Sequence, residues 1–293
     1  MSPRPAPRKP VRPARAGGRP GGPGARGPQR SGGERRSSSG RDFDGIGGDQ
    51  VEGRQAVLEL LKAKRRNVQK IFIADNQDSS DILDAIEFEA QRQRVQVHMI
   101  SMTRLDKEAR TEGHQGVLAF AEKLKTVSLD QAMSKKQPFL LVCDGVTDPR
   151  NLGAMLRSAD GAGVTGVVLP RHRSARISPT VTKTAAGAIE FLEFSDVGGI
   201  PTAIDQMNKQ GILTVGLAGE SPDSLYDLDL GSGPVAIVVG GEEKGLSSLT
   251  RKRCQKVVSI PQMGKISSLN AGVALSIAAF EVARQRRANK SDE

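Results

Sequence analysis

Tryptophan is absent from the 293 residues, tyrosine occurs once, at Tyr226, and aromatic residues make up 3% of the chain. That scarcity argues against an aromatic platform on which the bases of a single strand would stack. Cysteine occurs twice, at Cys143 and Cys254, which is too few for a disulfide framework and fits a reducing cytoplasm. The histidines, His98, His114 and His172, have no metal-ligand spacing around them, so no metal is expected. No apolar run approaches the roughly 20 residues of a membrane-spanning helix. The basic start is not followed by the apolar stretch of a secretory signal, so a cytoplasmic location is expected. A G-x-S-x-G elbow is also missing, and the scattered Ser, His and Asp suggest no nucleophilic triad.

Charge is present but unevenly spread. Between Met1 and Arg41 stand eleven Lys and Arg against one acid, Glu34, so this segment carries +10, the whole formal net charge. The remaining chain is balanced, and the pI near 9.9 therefore describes a tail. Residues 1–48 are Pro, Gly, Arg and Ser with almost no large apolar side chain. They cannot bury enough surface to offset the entropy of ordering, and disorder is expected. Spaced arginines suit phosphate, which leaves two readings of the tail, RNA contact or solubilisation.

Residues 49–124 read as a small α/β domain. Helical spacing runs over Glu52–Ala63 and again over Ile82–Arg92, and strands are expected at Lys70–Ala74, Val95–Ile100 and Gly116–Ala121. His114 precedes the last of these and reads as a polar turn residue. A polar connector, 125–137, leads to a second domain, 138–293. Its strands, Phe139–Cys143, Gly166–Leu169, Ile212–Gly216, Val235–Val239 and Lys256–Ile260, are continuous apolar runs, as parallel strands covered on both faces should be. Helical stretches separate them, at Asn151–Gly161, Thr180–Ala188, Ile200–Gln210 and Leu246–Lys252, with a long one at the end. The expected class is α/β with a mostly parallel sheet.

Two glycine patterns mislead. Gly161–Gly166 satisfies G-x-G-x-x-G, but a helix precedes it and a strand follows, the reverse of a dinucleotide site. Gly240 and Gly245 are spaced like those of a phosphate loop, but Leu246 stands where that loop has Lys. Three loops carry glycines or small polar residues just after an apolar strand: Asp144–Arg157, Gly240–Gly245 and Ile260–Asn270. Ligands of open α/β sheets bind at the carboxyl ends of strands, so the three could converge on one pocket. Taken alone, Ser267 or Ser268 reads as the cap of the last helix, and Arg157 as a surface salt-bridge residue. Asn151 is placed at the cap of its helix, able to point into the site.

Together the three loops, DPRNLGAMLRSADGAG, VGGEEKGLS and SIPQMGKISSLN, resemble the three motifs of the SpoU (TrmH-like) RNA 2′-O-ribose methyltransferases, in order and at similar intervals. The segment before them, with its His114-Gln115-Gly116, resembles the substrate-binding domain of the branch that acts on a guanosine of large-subunit ribosomal RNA. The resemblance runs from Val51 to about Arg287. It implies a C-terminal trefoil-knotted methyltransferase domain, a smaller ribosomal-protein L30e-like RNA-binding domain, S-adenosyl-L-methionine as donor, and a homodimer with the last helix at or near its interface. It also implies that Gly240, Ile260 and Leu269 hold the adenosine through backbone groups. Asn151, Arg157, Glu242, Ser268 and Asn270 match the catalytic positions. The family's second motif usually has glycine where Glu243 stands here. If that position needs a positive φ, strain of order 1 kcal/mol follows.

The implied chemistry is attack of a ribose 2′-hydroxyl on a sulfonium methyl, aided by positioning and by stabilisation of charge on oxygen. Two roles are open to Arg157. As a base it needs a large downward pKa shift; as a phosphate clamp it needs none. Two other assignments stand beside the ribosomal-RNA enzyme: a transfer-RNA 2′-O-methyltransferase, and an inactive RNA-binding factor of ribosome assembly. An antibiotic-resistance role is a further alternative that nothing in the sequence selects.

Overall fold

The computed structural model describes residues 46–265 and 268–291. Most of the expected disordered tail, and Ser267 with it, lies outside the described residues. The tail boundary at residue 48 is too late. Ile46 is fully buried in the core, Gly47 bridges to Ile177, and the Gly48 N–H donates to the Ile177 carbonyl at 2.8 Å. One large apolar residue is enough to tie down the end of a polar run.

The first part of the described chain is a four-stranded sheet with the order β1-β4-β2-β3. Its strands are β1 (Gln50–Glu52), β2 (Val68–Ala74), β3 (Gln96–Ile100) and β4 (Val117–Ala121). β2 and β3 are parallel; β4 is antiparallel to β1 and β2. Helices α1 (Arg54–Ala63) and α2 (Asp81–Arg92) cover one face through a core that includes Val57, Leu60, Leu61, Ile71 and Ile86. A third helix, α3 (Met102–Glu108), sets Leu105 against Phe72 and Leu118 on the other face. Burying each such Leu or Ile contributes roughly 1.5–3 kcal/mol. β1 and α3 escape a reading by periodicity because each is short and carries too few apolar residues to show a period.

The expected connector is not plain loop. It contains α4 (Leu129–Met133), opened by a capping box between Ser128 and Gln131, with Ala132 and Met133 buried. The second part is a six-stranded sheet of order β10-β8-β9-β5-β6-β7, parallel throughout. Its strands are β5 (Phe139–Asp144), β6 (Gly166–Pro170), β7 (Phe194–Val197), β8 (Leu213–Leu217), β9 (Val235–Gly240) and β10 (Lys256–Val258). The uninterrupted apolar runs have a simple cause. Phe139, Leu141 and Cys143 join the core on one face of the sheet, and Leu140 and Val142 the core on the other. The first core takes in α5 (Pro149–Gly161), α6 (Pro179–Thr184) and α9 (Ala271–Ser291); the second takes in α4 and α7 (Ile200–Lys209). The helix expected to run to Ala188 stops at Thr184, because Ala186 and Gly187 both take positive φ, 51° and 91°.

The two parts are joined by a buried ion pair. Arg66, from the turn after α1, pairs with Glu190 through Nε and Nη2, and their side chains are 4% and 1% exposed. Arg66 Nη1 also donates to the Gly48 and Glu122 carbonyls at 2.6 and 2.7 Å.

Candidate active site

β9, β8 and β10 end at the same edge of the sheet, and the chain after each bends over that edge. After β9 the loop is very tight. The Gly241 N–H donates to Asp144 O, and the Gly245 N–H to Gly241 O. A Cβ on Gly240 would lie 2.0 Å from the Gly245 carbonyl carbon, so only glycine fits there. The turn's positive φ falls on Gly245, at 59°, and not on Glu243. The strain raised for Glu243 is therefore not incurred. The same turn aims the Ser247 N–H at Asp144 Oδ2, 2.8 Å away, and α8 (Ser248–Arg253) begins there.

These loops enclose a cavity of about 510 Å³, a size suited to a small-molecule ligand. Gly240, Glu242, Ile260, Ser268, Leu269 and Asn270 all line it. Leu217, Leu246 and Val258 supply apolar walls. Glu220 and Arg251, which the sequence reading missed, also line it and form an ion pair with each other. The Glu220 carboxyl is held below the usual carboxylate range, first by its own backbone N–H and then by Arg251. Glu220 stands three residues past the end of β8, so the strand-end rule used for the other loops could have found it.

Three of the proposed residues form one hydrogen-bonded chain. Asn270 Oδ1 accepts from the backbone N–H groups of Gly272 and Val273, at 2.9 and 3.3 Å. That makes Asn270, rather than Ser268, the cap of α9. With its oxygen so engaged, the Asn270 amide nitrogen points the other way and donates to Asn151 Oδ1 at 3.1 Å. Asn151 in turn donates to Glu242 Oε1 at 2.6 Å. Both amide orientations are thus dictated by the helix end. Asn151 is not itself a cap: Asp148 caps α5 by accepting from Arg150 N, with Pro149 at the first helical position.

Arg157 does not join this group. It is exposed on α5, does not line the cavity, and makes no hydrogen bond or ion pair among the described residues. Its neighbour Ser158 bonds Ser276 of α9, Oγ to Oγ at 2.7 Å, so Arg157 flanks the α5–α9 contact. The surface salt bridge considered for it is not formed among the described residues. His114 is structural: 6% exposed, it bonds Asp106 through Nε2 at 2.9 Å and accepts from Gly116 N through Nδ1 at 3.1 Å. No group of three or more His, Cys, Asp or Glu suited to a metal occurs among the described residues.

Residues 138–280 match the model of the SpoU rRNA Methylase family. Residues 50–127 match a model described as RNA 2′-O ribose methyltransferase substrate binding. The chain is 39% identical over 243 residues to a 23S rRNA (guanosine-2′-O-)-methyltransferase, RlmB, of Pectobacterium atrosepticum, covering 80% of this chain and 98% of that one. It is 37% identical over 242 residues to RlmB of Escherichia coli K12, covering 81% and 99%. Among solved structures, the fold is similar to that of the SpoU methyltransferase AviRb from Streptomyces viridochromogenes, crystallised with AdoMet. The TM-score is 0.69 at 24% identity, over 81% of this chain and 90% of that one.

Proposed function

Because the chain belongs to the SpoU rRNA methylase family, we infer that it methylates a ribose 2′-hydroxyl in RNA with S-adenosylmethionine as donor. The target we assign is a guanosine of 23S ribosomal RNA, the substrate class named for its RlmB relatives. The observation that carries the reading is the chain of hydrogen bonds from the α9 terminus through Asn270 and Asn151 to Glu242, at the rim of a cavity of suitable size.

The cavity fits the donor chemically. Leu217, Val258 and Leu269 offer apolar surface for a purine, and Gly240, Ile260 and Leu269, which line the cavity, are the residues whose backbone we assign to its edge. Bound there, S-adenosylmethionine supplies an electrophilic methyl on sulfur. The protein's part is to orient and to handle the proton. Glu242, fixed by Asn151, presents its second carboxylate oxygen to an incoming hydroxyl. Ser268 and Asn270 shape the wall between acceptor and donor. Holding both reactants in line accounts for much of the acceleration such a site needs. Arg157 lies outside the cavity of its own chain, and the role we give it is to hold phosphate or receive the proton from an adjoining subunit. Val273 and Phe280 of α9 are 48% and 51% exposed, which supports a homodimer formed over the α5–α9 face. Phe280→Glu should then yield monomers in light scattering. The trefoil knot and the L30e-like character of the first domain belong to the same reading.

The decisive experiment supplies labelled donor with 23S ribosomal RNA or transfer RNA and maps ribose methylation. Transfer to one guanosine of 23S RNA is expected. Donor binding without transfer to either RNA would instead favour the assembly factor.

A further inference from the structure

A second cavity, of about 970 Å³, adjoins the first. Gly241, Glu242, Lys244 and Gly245 line both, so the loop after β9 is the partition between them. The other walls are the ends of the neighbouring strands: Asp144 at the end of β5 and Gly145 after it, His172 and Arg173 after β6, Gly198 and Gly199 after β7. A Cβ built on Gly145, Gly198 or Gly199 meets nothing within 4 Å, so bare backbone borders the space on two sides.

The loop after β6 is strongly basic, with Arg171, His172, Arg173 and Arg176. Asp196 pairs with two of them, Arg176 at 3.1 Å and Arg171 at 3.8 Å. The other two, His172 and Arg173, line the cavity and make no hydrogen bond or ion pair among the described residues. Arg173 also takes φ 60°, a left-handed conformation that disfavours any residue with a Cβ. Such strain clusters at ligand sites. A guanidinium with its fork unused matches the oxygens of a phosphate. The acceptor hydroxyl must come within about 3–3.5 Å of the donor's methyl carbon, so its nucleotide must occupy space contiguous with the donor cavity.

We propose that the second cavity seats the target nucleotide, with Arg173, flanked by His172, gripping the phosphate beside the methylated ribose across from Glu242. This rests on the methyltransferase reading above. Arg173 is here a binding residue, and the ligand class is a nucleotide of an RNA chain.

The test uses Arg173→Gly, which removes the cation while accepting the positive φ, Arg173→Lys, which retains charge, and Gly198→Leu, which fills the cavity. Donor affinity is measured by calorimetry, and KM for ribosomal RNA across a salt series. Expected for Arg173→Gly is a KM about tenfold higher or more, from loss of charge-assisted bonds, with unchanged donor affinity. The slope of log KM against log salt should fall by about 0.7, one phosphate contact. Arg173→Lys should recover part of the loss, and Gly198→Leu should raise KM without changing the slope. Wild-type activity with KM and slope unchanged in Arg173→Gly and Gly198→Leu would overturn the subsite alone. A wild-type protein that methylates no RNA would overturn the methyltransferase reading, and the subsite with it.

Discussion

Asn270 holds two things at once, and substitution can separate them. Its oxygen caps α9 through the Gly272 and Val273 N–H groups, and its nitrogen orients Asn151 toward Glu242. Asn270→Ala removes both. Loss of the cap costs about 1 kcal/mol, a fall in Tm of about 2–4 °C for a protein of this size. Asn270→Asp keeps an acceptor at the helix start and adds an anion where the helix dipole favours one, worth about 0.3–1 kcal/mol. It nonetheless puts an acceptor against Asn151 Oδ1. Asn151 would then stand between two carboxylates with one amide nitrogen, so one of its two contacts becomes oxygen against oxygen. The loss of one hydrogen bond to a charged group is about 1.5–3 kcal/mol, or about 10- to 150-fold in rate if it falls wholly on the transition state. Single-turnover methyl transfer at saturating donor and RNA, beside urea unfolding, reads both effects. Asn270→Asp should be as stable as wild type or more so, yet slow; Asn270→Ala should be slow and less stable. An Asn270→Asp enzyme with wild-type turnover would refute the role given to the hydrogen-bonded chain.

The other predictions concern the joint, the glycine turn and the thiols. Arg66→Ala strands the buried Glu190 carboxylate and should destabilise by about 3–5 kcal/mol; replacing both partners with Met and Leu should recover much of that in urea titrations. Gly240→Ala places a methyl 2.0 Å from the Gly245 carbonyl carbon, and calorimetry should show donor affinity reduced at least about tenfold while circular dichroism keeps its helical signal. Burial, reinforced by Asp144, pushes the Cys143 and Cys254 thiols up to about 12. Below pH 9 they are neutral in folded and unfolded chains alike, and above it only the unfolded chain releases their protons. Stability should therefore fall as pH climbs from about 9 toward about 12, and urea midpoints should fall less steeply in Cys254→Ser.

Legibility in the sequence followed the strength of the local signal. The five expected strands of the second domain appear within two residues of their expected limits: β5, β6, β8 and β9 are inner strands with mostly buried, mostly apolar positions, while β10, at an edge with Lys256 exposed, shows itself through Val257 and Val258 alone. β7, with the sequence FSDV, sits at the sheet edge and carries no such run. Asp148 outcompeted Asn151 for the α5 cap because Pro149 fits the first helical position. At α9, Asn270 took the cap in place of Ser268. Neither choice can be made from residue preference alone, since all these residue types cap well.

The order of three loops, each following an apolar strand, was determined by sequence alone, as was the α/β class, since periodicity and turn residues are local properties. Tertiary structure decided which residues meet. Asn151 and Glu242 are 91 residues apart, and Asn151 and Asn270 119; only a parallel sheet that brings β5 beside β9, with α9 packed on α5, sets them in contact. Structure also put Arg157 outside the cavity and left Arg173 unpaired among the described residues, beside a second one. The helix, once started, dictates which way each amide points, and no one-dimensional pattern encodes that direction.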